Sequence, residues 1–158
     1  MKLQRATLLG LYAIIELADQ PDLQLSRSEI ARKFDVSSNH LSKVMRELGK
    51  AGLVEAVRGV GGGYRFCGNA RRTTLLDIIQ IFEDFRFDSP DQREPGMGTE
   101  IGKALDLVLG EINESINSTL RSISLATMLM LKNRRQAVPS EQSTGDSSIQ
   151  SSRPGQLS

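Results

Sequence analysis

The chain has 158 residues, with 20 Lys or Arg against 19 Asp or Glu and 39% hydrophobic residues. That length accommodates one domain with an ordinary core, or a small domain with an extended arm. A single cysteine excludes a framework of intramolecular disulfides, and no run approaches the roughly 18 apolar residues that a membrane-spanning helix needs. The amino terminus also lacks the pattern of a secretory signal, so we expect a cytoplasmic protein without a membrane partner.

The near-neutral total hides an uneven distribution of charge. Residues 1–72 contain twelve Lys or Arg against seven Asp or Glu, whereas residues 73–158 contain eight against twelve. A basic first part and an acidic second part are expected of a DNA-binding domain followed by a segment for assembly or sensing.

The first predicted element is a helix that is buried on most sides, because its apolar residues are too dense for a surface helix. Pro21 lies in the segment that ends it. The apolar residues are Leu8, Leu9, Leu11, Tyr12, Ile14, Ile15, Leu17 and Ala18.

A helix-turn-helix is predicted over residues 26–48. Ser26 and Glu29 form a capping box, so that one helix starts near Arg27. Ser37 then caps a second helix, and Gly52 ends it because glycine readily adopts positive φ. The second helix has apolar residues at the three- and four-residue spacing of one buried face, namely Leu41, Val44, Met45 and Leu48.

The opposite face of this second helix has the chemistry of a DNA recognition helix. Hydroxyl and amide groups can meet base edges in the major groove, and Lys and Arg neutralise phosphates. The residues on this face are Ser38, Asn39, Ser42, Lys43 and Arg46.

A β-hairpin follows directly, which makes the predicted arrangement a winged helix. Leu53 to Val57 alternates apolar and polar residues as a half-buried strand does, and Tyr64 to Cys67 can return beside it. Arg58 and Arg65 flank the turn, and a slim cationic hairpin tip can enter the minor groove. The turn contains four residues that permit close approach of the main chain, namely Gly59, Gly61, Gly62 and Gly63.

The alternative interpretation of the hairpin is a surface element with a flexible turn. Its direct connection to a helix with a polar and cationic face favours DNA binding instead. The predicted DNA-binding residues are Ser28, Ser38, Asn39, His40, Ser42, Lys43, Arg46, Arg58, Gly59, Gly61, Gly62, Gly63 and Arg65.

The recognition helix and hairpin resemble those of the Rrf2 (Rrf-two) family of bacterial winged-helix transcription regulators. The resemblance rests on Ser-Ser-Asn-His-Leu-Ser-Lys-Val at residues 37–44 and on Gly-Leu-Val-Glu-Ala-Val-Arg-Gly-Val-Gly-Gly-Gly-Tyr at residues 52–64, and it extends from residue 1 to about residue 130. The family includes an iron–sulfur cluster regulator, a nitric-oxide-sensing repressor and a cysteine-metabolism repressor. Membership implies a regulator that binds double-stranded DNA.

Many members of this family hold an iron–sulfur cluster on three cysteines in the loop before a long helix. Here that loop, residues 88–100, contains no cysteine, and Leu8 and Leu9 lie where some members have an acidic ligand. We therefore expect no cluster on the family's three cysteines, and no other cofactor or metal is predicted.

Beyond the hairpin, the sequence predicts a loop, a short helix and a second loop. Arg71 and Arg72 lie in the first loop, either as phosphate contacts or as solvated charges. A helix opens at Thr74, and the polar residues 86–98, with their Pro and Gly, are predicted to form a mobile loop at the family's sensor position.

A long helix is predicted from about Thr99 to Leu120. It has a narrow apolar stripe that needs a partner. Packing against its own domain is one possibility, but a domain this small has little surface left to cover seven large side chains, which favours a homodimer. The stripe residues are Ile101, Leu105, Val108, Ile112, Ile116, Leu120 and Ile123.

Ser124 can cap a last helix from Leu125 to Arg135, and the remaining residues are rich in Ser, Gln, Gly and Pro, which predicts disorder. The predicted fold is mainly α with a small β-hairpin: a winged helix-turn-helix domain over residues 1–85, a loop over 86–98, dimerisation helices over 99–135 and a disordered tail over 136–158.

Catalytic interpretations find no support in the sequence. His40 is the only histidine, so neither a triad nor a histidine-based metal site can be completed. Cys67 is expected to be a small buried hydrophobic residue, or alternatively a redox sensor whose thiol pKa is lowered by Arg65 and Arg71.

The sequence therefore predicts a homodimeric transcription regulator, a repressor on a partly palindromic operator, and no enzyme. The alternative is a winged helix that binds protein instead of DNA. The cations at Lys43 and Arg58 favour DNA.

Overall fold

The computed structural model describes residues 2–84 and 95–137, and within them it contains six helices and one two-stranded antiparallel sheet. The mainly helical fold with a small hairpin confirms the predicted fold class. None of the described helices is both long enough and apolar enough to cross a bilayer. In chain order the elements are α1 (Arg5–Asp19), α2 (Arg27–Lys33), α3 (Ser38–Lys50), β1 (Val54–Val57), β2 (Gly63–Phe66), α4 (Leu75–Phe82), α5 (Glu100–Ser122) and α6 (Leu125–Gln136).

Helix α1 forms the centre of the domain and packs against α3, α4, α6 and β2. Ile14 and Leu17 on its inner side are fully buried, as their apolar spacing predicts. The expectation that α1 is buried on most sides is wrong for Tyr12, which is 51% exposed. Its ring instead stacks on Phe34 with the centroids 5.7 Å apart, so part of its apolar surface is still covered.

The helix-turn-helix begins and ends where the capping residues predict. Ser26 Oγ accepts a hydrogen bond from the Glu29 amide at 3.2 Å, and the Glu29 carboxylate accepts one from the Ser26 amide at 2.7 Å. The hydrogen bonds that Ser26 makes to Glu29 lower the pKa of that carboxyl, and the bond of the Ser26 side chain has a larger effect than that of its backbone. Ser37 caps α3 through the His40 amide at 3.2 Å, and Gly52 follows α3 with φ 72°.

The hairpin pairs Val54 with Phe66 and Val57 with Gly63. Strand β1 is therefore one residue shorter than the sequence predicts, and β2 has the predicted length but lies one residue earlier in the chain. The chain between α1 and α2 forms a third segment, which pairs with β2. The Tyr64 amide donates to the Leu25 carbonyl at 2.8 Å, and the Leu25 amide donates to the Tyr64 carbonyl at 3.0 Å. The wing is therefore fixed to the α1–α2 loop along β2, close to the turn of the hairpin.

The start of α4 and the junction between α5 and α6 are joined through their main chains. The Leu75 amide donates to the Ile123 carbonyl at 2.9 Å, and the Leu125 amide donates to the Thr73 carbonyl at 2.9 Å. The Ala126 amide also donates to the Ala70 carbonyl at 2.8 Å. These three bonds hold the carboxyl end of α5 against the winged-helix domain.

Helix α5 is capped by Thr99, whose Oγ1 accepts from the Gly102 amide at 3.1 Å, and α6 is capped by Ser124. The predicted start of α5 agrees with the structure, whereas its end lies two residues later than predicted. Of the predicted loop over residues 86–98, only 95–98 are described, and the predicted tail lies outside the described residues from 138 onwards.

Candidate DNA-binding surface

Helix α3 has a buried side and a polar side, as its sequence predicts. Leu41 and Leu48 have no exposed surface, so replacing either with Ala is expected to cost about 2–5 kcal/mol of stability. Successive helix residues are about 100° apart, which places Asn39, Lys43 and Arg46 together on the opposite side. All three are exposed. Their amide, ammonium and guanidinium groups can therefore reach bases or phosphates.

The cations on this side differ in their availability. Arg46 Nε lies 3.7 Å from the Glu47 carboxylate, which also accepts from Lys50 Nζ at 3.0 Å. Lys43 has no carboxylate within ion-pair distance in the described part of the chain. Lys43 is thus the cation of α3 that is most available to a phosphate.

Ser42 is less available to a base than the sequence predicts. Its hydroxyl donates to the Ser38 carbonyl at 2.8 Å and accepts from Arg27 Nη1 at 3.4 Å. Because the hydroxyl proton is used within the helix, Ser42 offers only its remaining acceptor capacity to DNA. The Ser38 side chain is exposed at the first residue of the same helix.

His40 lies at the edge of the polar side of α3, about 60° around the helix from Lys43 and about 100° from Asn39. It is half-buried and lines a cavity of about 410 Å³ between α1 and the turn of the helix-turn-helix, together with Arg5, Tyr12 and Phe34. The assignment of His40 as a DNA contact stays a prediction, and the structure places this side chain between the polar side of α3 and the cavity.

Ser28 is exposed in the first turn of α2, where its hydroxyl lies 3.1 Å from the Ser26 hydroxyl. It therefore faces solvent beside a helix start, an arrangement that suits a phosphate contact.

The tip of the wing is formed by Arg58 to Gly61. Gly59 and Gly61 have φ values of 102° and 76°, a conformation that residues with a Cβ rarely adopt. Arg58 is exposed and has no ion-pair partner among the described residues. Val60 is fully exposed at the tip and is not among the predicted site residues. Its position between two glycines of a predicted turn indicates in the sequence that this apolar side chain is exposed.

Gly62 and Gly63 have a structural role rather than a role at the tip. A Cβ on Gly63 would overlap the Leu25 carbonyl, because the two main chains lie in contact there. The Gln24 side-chain amide donates to the Gly61 carbonyl and adds a second connection to the α1–α2 loop. Both glycines therefore allow close approach of main chains, as predicted: at Gly63 the other main chain is that of the α1–α2 loop, and at Gly62 it is that of the hairpin itself.

Arg65 is not a free cation. Its Nε donates to the Glu55 carboxylate at 2.7 Å, and Nη2 also donates to the same oxygen. The two residues lie opposite each other in the hairpin register. Arg65 therefore brings little net charge to the wing, and its predicted role as a DNA contact stays a prediction.

Cys67 is exposed, and its thiol lies 3.4 Å from the Gly52 carbonyl. The thiol pKa is raised by desolvation and by the nearby Glu55 carboxylate, against a smaller lowering by Arg65. Both parts of the prediction are therefore corrected: Cys67 is not a buried hydrophobic residue, and its electrostatic surroundings do not favour the thiolate.

Arg27 belongs to the same surface and is missed by the sequence analysis. It is the first residue of α2, contacts Ser42 on α3 and lines a groove of about 250 Å³ with Val57, Gly59 and Tyr64 of the wing. Its position beside both α3 and the wing depends on tertiary packing, so no local pattern in the sequence indicates it.

The predicted dimerisation stripe divides into two parts. Ile101 and Val108 are 82% and 50% exposed, and Leu105 and Ile112 are exposed as well. Leu120, in contrast, is part of the chain's own core, Ile116 packs against that core, and Ile123 lies at the C-cap of α5. The predicted stripe is therefore too long at its carboxyl end, because α4 already covers that end of α5.

The described residues do not supply a ligand set for iron. Residues 2–84 and 95–137 contain no group of three His, Cys, Asp or Glu side chains placed to hold a metal ion. Cys67 is the only cysteine of the whole chain, and Leu8 is an apolar lining residue of the cavity beside α1. Thiolates are the usual ligands of iron–sulfur clusters, so the donor set does not fit such a cluster.

The chain is similar to known transcription regulators. Residues 3–130 match the family model Rrf2, described as an iron-dependent transcriptional regulator. The chain is 51% identical over 129 residues to the HTH-type transcriptional regulator BadM of Rhodopseudomonas palustris, covering 82% of this chain and 81% of that protein.

Two solved structures are also similar. IscR from T. potens has a TM-score of 0.65 and 29% identity, with 92% of this chain and 94% of that chain covered. CymR, the global cysteine regulator of B. subtilis, has a TM-score of 0.66 and 25% identity, with 83% and 98% covered. With a family model that spans most of its length, this chain belongs to the Rrf2 family of DNA-binding transcription regulators.

Proposed function

We propose that this chain acts in the cytoplasm as a homodimeric repressor that binds a partly palindromic operator. In this proposal α3 enters the major groove and the wing tip enters the adjacent minor groove. The observation that supports it most directly is the placement of Arg27, Lys43 and Arg58 on or beside these two elements, since none of these cations has an ion-pair partner among the described residues.

The dimer is proposed from the exposed part of the α5 stripe, which comprises Ile101, Leu105, Val108 and Ile112. Four large apolar side chains in a row on one helix are unfavourable in water, and a second copy can cover them. A twofold dimer would place two copies of α3 about one helical turn apart on the duplex, which is why the operator is expected to be an inverted repeat.

We propose that this regulator does not sense its signal through an iron–sulfur cluster held by three cysteines. The family model is described as iron-dependent, but neither the described residues nor the single cysteine provides the thiolates that such a cluster requires. An anaerobically purified protein without stoichiometric iron and sulfide would agree with this proposal. A coloured protein that contains both would contradict it.

The test of the function is selection of bound fragments from genomic DNA, followed by sequencing and footprinting. We expect fragments that share an inverted repeat, with protection over both halves. Arg58→Ala should weaken binding to all sequences, whereas Asn39→Ala should change the preferred sequence, because the wing contacts the backbone and the groove shape while α3 contacts base edges. Failure of the parent to enrich any DNA would instead favour a winged helix that binds protein.

A further inference from the structure

Arg27 lies between the two elements that are proposed to enter the two grooves. It is fixed at the start of α2 by the capping box of Ser26 and Glu29. From there its guanidinium extends to α3, with Nη1 3.4 Å from Ser42 Oγ. Arg27 also lines a groove with the wing residues Val57, Gly59 and Tyr64, so it contacts α3 and lies beside the wing.

The guanidinium of Arg27 also has most of its hydrogen-bonding capacity available. A guanidinium has five N–H donors, and only the one to Ser42 is used within the described residues. Arg27 is exposed, and no carboxylate of the described part lies within ion-pair distance. It therefore differs from Arg65, whose charge is neutralised by Glu55.

A duplex has a sugar–phosphate strand between each major groove and the neighbouring minor groove. A protein that inserts a helix into one groove and a hairpin tip into the other must span that strand. Any group in the cleft between the helix and the hairpin then faces the phosphates of that strand. Arginine suits this position because its planar fork can bind two phosphate oxygens at once.

We propose that Arg27 binds the phosphate that separates the two grooves and that it is a positioning residue for α3. This assignment rests on the proposed function. Ser42, which donates to the Ser38 carbonyl and accepts from Arg27, connects the phosphate contact to the first turn of α3. Arg27 thereby fixes the position of α3 in the major groove, without contacting a base itself.

The test compares the parent, Arg27→Ala and Arg27→Lys on the selected operator and on an unrelated duplex, over a range of salt concentrations. Loss of a phosphate contact should weaken binding to both duplexes and reduce the slope of log affinity against log salt by about 1 per bound protomer. Arg27→Lys should keep most of the slope, since the charge remains. Arg32→Ala is the matched control, because it removes an exposed arginine from the same helix outside the groove.

A second measurement identifies the phosphate. Operators with one neutral methylphosphonate at each position between the half-site grooves should include one that weakens the parent but not Arg27→Ala. An unchanged salt slope in Arg27→Ala, or a loss confined to one base pair, would overturn the assignment of Arg27 while leaving the proposed function intact. A parent protein that binds no DNA would overturn both.

Discussion

Arg65 and Glu55 face each other across the wing, with Arg65 Nε 2.7 Å from Glu55 Oε1. The pair is about half exposed, so it contributes less than about 1 kcal/mol to stability. Its larger effect is on charge, because the carboxylate neutralises an arginine next to the turn that is proposed to meet DNA. The wing thus keeps Arg58 as its free cation in the described part of the chain.

The first prediction is that Glu55→Gln tightens DNA binding. Removal of the carboxylate frees the Arg65 guanidinium, which can then neutralise one more phosphate and steepen the salt dependence by about 1 per protomer. Fluorescence anisotropy with an operator duplex measures both quantities. Glu16→Gln is the matched control, since it breaks the Lys33–Glu16 ion pair elsewhere in the domain. Equal affinity of Glu55→Gln and the parent would mean that DNA does not lie against Arg65.

The second prediction concerns the exposed stripe of α5. Changing Val108 and Ile112 together to Glu should give monomers in sedimentation experiments and abolish operator binding, because charged groups cannot be covered by an apolar partner surface. Leu107→Glu is the control: Leu107 is 66% exposed on the same helix but lies away from the stripe. Dimers that persist in the double variant would place the interface elsewhere.

The third prediction is a stability difference between two glycines. Gly63→Ala should destabilise the domain by about 1–3 kcal/mol, because the added Cβ overlaps the Leu25 main chain. Gly110→Ala should instead stabilise α5 by about 0.5–1 kcal/mol, since no atom lies within 4 Å of its added Cβ. Chemical denaturation of both variants gives the comparison. A neutral Gly63→Ala would show that this contact does not hold the wing to the α1–α2 loop.

The fourth prediction is that Cys67 reacts slowly with peroxide. Its thiol pKa is raised by desolvation and by Glu55, so at neutral pH a smaller fraction is thiolate than in an ordinary cysteine. Glu55→Gln should lower this pKa, because it removes a negative charge that opposes the thiolate while Arg65 remains. Alkylation rates measured against pH will show the shift. If peroxide weakens DNA binding of the parent but not of Cys67→Ser, the thiol is a sensor despite its raised pKa.

Local chemistry explains why the ends of the helices can be predicted from sequence. Ser37, Thr74 and Ser124 each accept a hydrogen bond from an amide three residues later, and that geometry needs only residues that are close in the chain. The positive φ of Gly52 after α3 can also be predicted locally, because a glycine that follows a helix readily adopts this conformation.

The contacts that decide the chemistry of the site depend on register and on packing between elements. The pairing of Arg65 with Glu55 requires the register of the hairpin, and the contact of Arg27 with Ser42 requires the angle between α2 and α3. Leu120 and Val108 look alike in the sequence pattern, but only the position of α4 decides which one belongs to the core. These features could not be predicted from spacing alone.

The main-chain bonds of Leu75 to Ile123, Leu125 to Thr73 and Ala126 to Ala70 restrict the angle at which α5 leaves the winged-helix domain. In the proposed dimer, that angle fixes the separation and the relative rotation of the two copies of α3. One inserted base pair at the operator centre rotates a half-site by roughly a tenth of a turn, which a rigid connection cannot follow. Operators should therefore tolerate changes of sequence at the centre far better than changes of length.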